Sequence, residues 1–199
     1  MKILISTFVA MMVTGLAWGE DAMTVEQFKK IVATSGDSTP LRAELAPLPF
    51  WRDAMCSVTI KHQDGKVFKE DCAQTAKTVS GKYIVFTVES KFYKQPISAI
   101  VGYDDSALAI RTWGLFGDTL SQSTIVFDPE KKISASTSTY SNDIMEISVE
   151  SYTEKETSER TLVYKNGVLS MTREVKTFPS GKTEKVEQAA PSDGGKPSN

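Results

Sequence analysis

The chain has one histidine and two cysteines among its 199 residues, and that scarcity removes whole classes of chemistry. A Ser-His-Asp or Cys-His centre needs an imidazole base, and only His62 could supply one. A structural zinc takes four Cys or His ligands, one more than the whole chain owns, so no metal and no cofactor is expected. Basic clusters are missing too. With 23 Lys and Arg against 25 Asp and Glu the formal net charge is −2, and no window concentrates the cations that neutralise phosphates, which sets nucleic acid aside. After Gly19 no apolar run is long enough to cross a bilayer as a helix.

What the N-terminus does have is a short apolar segment. Lys2 precedes the uncharged run Ile3 to Ala17 (ILISTFVAMMVTGLA), and Ala17-Trp18-Gly19 fits a small-x-small cleavage site ahead of Glu20-Asp21. The segment reads as a signal peptide, residues 1–19, with a retained membrane anchor as the competing reading. Cleavage predicts an exported protein, periplasmic or secreted, soluble and without a membrane span. No cysteine stands near the site to take a lipid.

Export turns two cysteines into a disulfide expectation. Between Cys56 and Cys72, the β-prone residues Val58, Ile60, Val67 and Phe68 flank Gln63-Asp64-Gly65, where Gly in third place suits a three-residue hairpin loop closing through a bulge. That register sets His62 opposite Lys66 and Cys56 opposite Cys72. A redox pair is the alternative, but a catalytic dithiol has C-x-x-C spacing. His62 then reads as a solvated residue beside a turn.

The rest of the chain is punctuated at short intervals. Thr24-Val25-Glu26-Gln27 matches a capping box ahead of Phe28, Ile31 and Val32 at helical spacing. Pro40, Pro47 and Pro49 mark residues 37–49 as an irregular connection, after which Phe50-Trp51 opens the first strand and plugs an end of the β-structure. Strands are predicted at Lys82 to Ser90, Ile97 to Tyr103, Ala107 to Trp113, Ser123 to Phe127, Lys132 to Tyr140 and Ile144 to Tyr152. Asn166-Gly167 is a type I′ signal that would oppose Tyr164 to Leu169 and Leu162 to Met171. A last, polar hairpin over Glu174 to Glu187 reads as an edge, and 188–199 (QAAPSDGGKPSN) as a disordered tail. Local turns and one apolar face per strand predict an all-β fold over residues 50–187: an antiparallel up-and-down barrel, closed or half-open, with a two-layer sandwich as the alternative.

Gly81-Lys82-Tyr83, Tyr93-Lys94-Gln95-Pro96, Gly102-Tyr103-Asp104, Trp113 and Tyr140 follow one another in an order that resembles the bacterial domain-of-unknown-function family fifteen seventy-nine. The Gly-Tyr-Asp turn with its following tryptophan and the Phe127-Asp128-Pro129 turn carry most of the likeness, which spans roughly residues 50–178. Phe50 stands where the family tends to have glycine, and the cysteine pair is not a family feature. The resemblance implies a calycin- or lipocalin-like barrel and no particular activity.

Such a barrel has room for one small apolar or amphipathic ligand, or it is filled by its own side chains. On the more apolar faces, Phe86, Val88, Val101, Tyr103, Trp113, Phe127, Met145, Ile147 and Leu162 are the candidate lining, and Arg111 beside Trp113 would anchor a carboxylate if it pointed inward. The alternative is an interaction module of the cell envelope whose Ser/Thr-rich strand, Ser134 to Ser141, offers a flat edge. No protein partner is identifiable. For catalysis the candidate carboxylates are Asp104, Asp105 and Asp118, which turn geometry also explains, and no catalytic residue is assigned.

Overall fold

The computed structural model describes residues 23–49, 53–91, 95–116, 119–140 and 143–180. The expected signal peptide, the Phe50-Trp51 plug, Asp118 and the C-terminal tail lie outside them. One helix, α1 (Val25–Ala33), precedes ten strands: β1 (Asp53–His62), β2 (Val67–Val79), β3 (Tyr83–Ser90), β4 (Ile97–Asp104), β5 (Ala109–Phe116), β6 (Thr119–Asp128), β7 (Ile133–Tyr140), β8 (Ile144–Tyr152), β9 (Thr157–Lys165) and β10 (Val168–Pro179). Each strand pairs antiparallel with the next, and β10 returns to β1, so the sheet is a closed ten-strand up-and-down barrel. Closure removes every free edge, which a sandwich would have kept.

The first hairpin follows the register that its cysteines require. Cys56 faces Cys72 and the two form a disulfide with a Cα–Cα distance of 4.9 Å. The His62 N–H donates to the Lys66 carbonyl at 2.9 Å, and Gly65 takes φ 85°, a conformation only glycine adopts without strain. At the Asn166-Gly167 turn both residues have positive φ, and Tyr164 opposes Leu169 as expected. A bulge between Leu169 and Met171 then slips the pairing by one, so Met171 faces Val163 and Leu162 faces Thr172.

The segment from Glu174 is a second correction. Its described part is no edge, and residues 181–187 lie outside the described residues. Val168–Pro179 is one strand hydrogen-bonded on both sides, and its polar alternation reflects a wall with solvent outside and polar groups inside. β7 is likewise no edge, since β6 and β8 flank it.

Two apolar clusters hold the barrel's surroundings in place. Outside the wall, α1 lays Phe28, 2 % exposed, against Val79, Val85, Ile100 and Trp113. The capping box forms as the sequence predicts: the Thr24 hydroxyl accepts from the Gln27 N–H at 3.1 Å and the Gln27 amide oxygen accepts from the Thr24 N–H at 2.7 Å. The second cluster closes one end. The connection at 37–49 is a plug: Leu45, wholly buried, packs with Leu41 and Leu48 against Ile84, Val101, Tyr103, Ile110 and Ile125. Gly81 seats it, because a side chain there would meet the Pro40 carbonyl at 2.4 Å and would have to adopt φ +63°. Arg42 completes the seal, pairing with Asp105 at 2.8 Å and lying 4.4 Å over the Tyr103 ring. Among the described residues no helix is long and apolar enough to cross a membrane.

Candidate functional site

The closed sheet encloses a cavity of about 430 Å³, within the range of small-molecule sites. Leu48 and Pro49 of the plug form its floor. Its wall has two unlike halves. Val58, Ile60, Ile84, Phe86, Val88, Ile97, Ala99 and Val101, from β1, β3 and β4, are aliphatic or aromatic. Across the barrel, β6 to β10 present serines, threonines, glutamates and Arg173.

The register builds this polar half in three adjoining rungs. Ser123, Ser138 and Glu146 lie side by side on the first, Ser136, Ser148, Thr161 and Arg173 on the second, Ser134, Glu150 and Glu159 on the third. Arg173 Nη2 reaches Glu146 at 3.3 Å, Glu159 at 3.5 Å and the Thr161 hydroxyl at 3.3 Å. Thr161, with no solvent exposure, donates to Glu159 at 2.6 Å, so its oxygen accepts from Ser148 at 2.9 Å as well as from Arg173. Glu150 stands apart from this network and, among the described residues, accepts only from the Ser134 hydroxyl, at 3.1 Å.

Enclosure by the wall and the charge of neighbouring Glu159 push the Glu150 carboxyl up to about 7, against a smaller opposing pull from Ser134. The residue is partly buried on the cavity wall. Near neutral pH it therefore both holds and releases a proton. Tyr140, also on the inner wall, is raised to about 12, first by burial and then by Glu146. Three further hydroxyls on the cavity wall are at least nine-tenths buried: Ser123 at 7 % exposure, Thr157 at 6 % and Thr177 at 8 %. None makes a side-chain hydrogen bond among the described residues.

No family model and no curated protein matches this chain. The functional argument therefore rests on geometry.

Of the candidate lining residues, Phe86, Val88 and Val101 are on the cavity wall. Tyr103 and Phe127 share the inward face but sit at the plugged end, Tyr103 against Leu45 and Phe127 stacked on Tyr152 at 5.6 Å. Trp113 points outward and is buried beneath α1, its indole N–H donating to Gln122 at 3.1 Å. Met145, Ile147 and Leu162 also point outward, since the alternate residues Glu146, Ser148, Glu150 and Thr161 take the inner face. Arg111 is outside as well. It pairs with Asp104 at 3.4 Å and donates to the Thr124 hydroxyl, so it anchors no ligand in the barrel. The inward arginine is Arg173. Asp104 and Asp105 do not converge on a cleft: Asp104 caps its turn through the Ser106 and Ala107 N–H groups, and Asp105 holds Arg42.

The Ser134 to Ser141 strand has its meaning reversed. Ser134, Ser136 and Ser138 line the cavity instead of an exposed edge. The sequence signal for the missed half was present in alternation: SASTSTY, EISVE and SERT each put small or acidic groups on one parity, and the register places those parities in contiguous rungs.

Proposed function

We propose that this protein binds one small amphipathic molecule inside its barrel and does so without catalysis. The cavity of about 430 Å³ with one apolar and one polar half carries the reading. A solid core would have left no such space, and a purely apolar ligand would strand the hydroxyls and carboxylates of β6 to β10 without partners. The N-terminal segment and the Cys56–Cys72 disulfide support an exported, periplasmic or secreted location. The likeness to family fifteen seventy-nine belongs to the same proposal, as a barrel-forming relative of unknown activity.

Native mass spectrometry of the protein from its own host, beside the denatured mass of the same sample, tests this. A discrete small-molecule adduct in the native spectrum is the expected result, with a denatured mass matching cleavage after Gly19 and the loss of two hydrogens at the disulfide. A bare native mass in repeated preparations would count against a carrier. A second reading, an envelope interaction module, draws on the outer faces of β6 and β8, where Val126 and Val149 are 38 % and 48 % exposed. Bare native dimers would favour it.

A further inference from the structure

The two halves of the cavity differ in charge as well as polarity, and on the carrier reading this specifies the ligand. Glu70, Glu146, Glu150 and Glu159 line the space, and Arg173 is the single cation among the described residues that do. Arg173 is already committed to Glu146, Glu159 and Thr161. An incoming anion would find no uncommitted cation and would face Glu150. A bare metal ion is also poorly served, because no three His, Cys, Asp or Glu side chains among the described residues converge as ligands.

We infer that the ligand is a cationic amphipath, an organic amine whose ammonium group meets Glu150 and Glu159 while its apolar body lies along Ile84, Phe86 and Val88. The hydroxyl of Thr157, a residue 6 % exposed on the rung next to Glu150 and Glu159 and without a side-chain hydrogen bond among the described residues, supplies an acceptor that an ammonium N–H satisfies and an aliphatic tail does not. Enclosure strengthens the pairing, since a carboxylate on a low-dielectric wall attracts a cation more than one in bulk water does. The amine's desolvation is offset by two charged acceptors, while the tail leaves water against the aliphatic half.

Three eight-carbon probes differing only at the head test the inference by calorimetric titration into the full protein at pH 8, where an aliphatic amine is protonated: octylamine, octanol and octanoate. Octylamine is expected to bind at least about tenfold more tightly than octanol, with octanoate weaker than both. In Glu150→Gln and in Glu159→Gln the ratio of amine to alcohol affinity should fall at least about fivefold, and two variants guard against the misfolding of either one. Equal binding of amine and alcohol, or a ratio unmoved in both variants, overturns the cationic ligand while leaving the carrier standing. Failure of all three probes to bind overturns the carrier and the inference together.

Discussion

At the scale of one residue, Glu150 is the group whose state the fold alters most visibly. Unfolded, its carboxyl titrates near 4.5; inside the barrel it holds its proton up to about 7. Between these values the folded protein binds more protons than the unfolded chain. Stability therefore falls as pH rises from about 4.5 to 7 and is level above that, by at most about 3 kcal/mol and less to the extent that cavity solvent screens the charge. The titratable and charged groups that line the interior with Glu150 are Glu159, Glu146, Arg173, Tyr140 and Glu70, and Glu159, beside it on the same rung, is the neighbour whose charge raises it. Glu150→Gln removes the titration. Urea unfolding at pH 5 and pH 8 should show the wild type losing about 1–3 kcal/mol relative to the variant across that interval. Parallel profiles for the two proteins would mean that Glu150 is ionised in the folded state well below neutrality.

At the scale of elements, the plug between α1 and β1 determines which end of the barrel is closed. Leu45 fills the end as a wholly buried knob, and its removal leaves a hole that the rigid strand ends around it do not collapse to fill. Leu45→Ala should cost about 2–5 kcal/mol, read by denaturant unfolding, and should raise amide exchange in residues 41–48 more than in α1. Equal exchange in both segments would mean that plug and helix open as one unit. The same elements explain what a reader of the sequence could see. The β1–β2 register followed from Cys56, Cys72 and Gly65, α1 from its capping box, and the strand spacing from turn residues, because each depends on local geometry. The plug did not, because three prolines in 37–49 signal irregular backbone whether or not Leu45 is buried. The facing of the strands failed for a different reason. On β3 the inward face is the expected one, with Ile84, Phe86 and Val88 on the cavity wall and Val85 outside under α1, but on β8 the apolar parity of Met145, Ile147 and Val149 points outward. Hydrophobic alternation identifies a strand in both cases, but it identifies the inward face only when the interior is the driest place available. Here the interior is half polar, so Arg111 was the arginine to suspect and Arg173 the one that lines the cavity.

For the whole molecule, the decisive contact is the seam where the last strand meets the first. β1 carries the disulfide to β2 on one side and pairs with β10 on the other, with Cys56 opposite Thr177. Closing that seam brings together residues more than a hundred positions apart, the largest sequence separation of any strand pair in the barrel. The disulfide ties β1 to β2 on the near side of that seam. In the chain-entropy account a bridge across a loop of this length contributes about 3 kcal/mol, and because the ladder is continuous around the barrel, that loss should be felt by every strand. The double variant Cys56→Ala with Cys72→Ala should therefore lower the denaturant midpoint, with a slope somewhat steeper because the unlinked unfolded chain exposes more surface, and should reduce amide protection in β5 to β8 by about the same free energy as in β1 and β2. Loss confined to the β1–β2 hairpin would show instead that the seam opens locally while the remaining strands hold. In that case the barrel's first and last strands would form a gate beside the cavity, and ligand entry would be sought there.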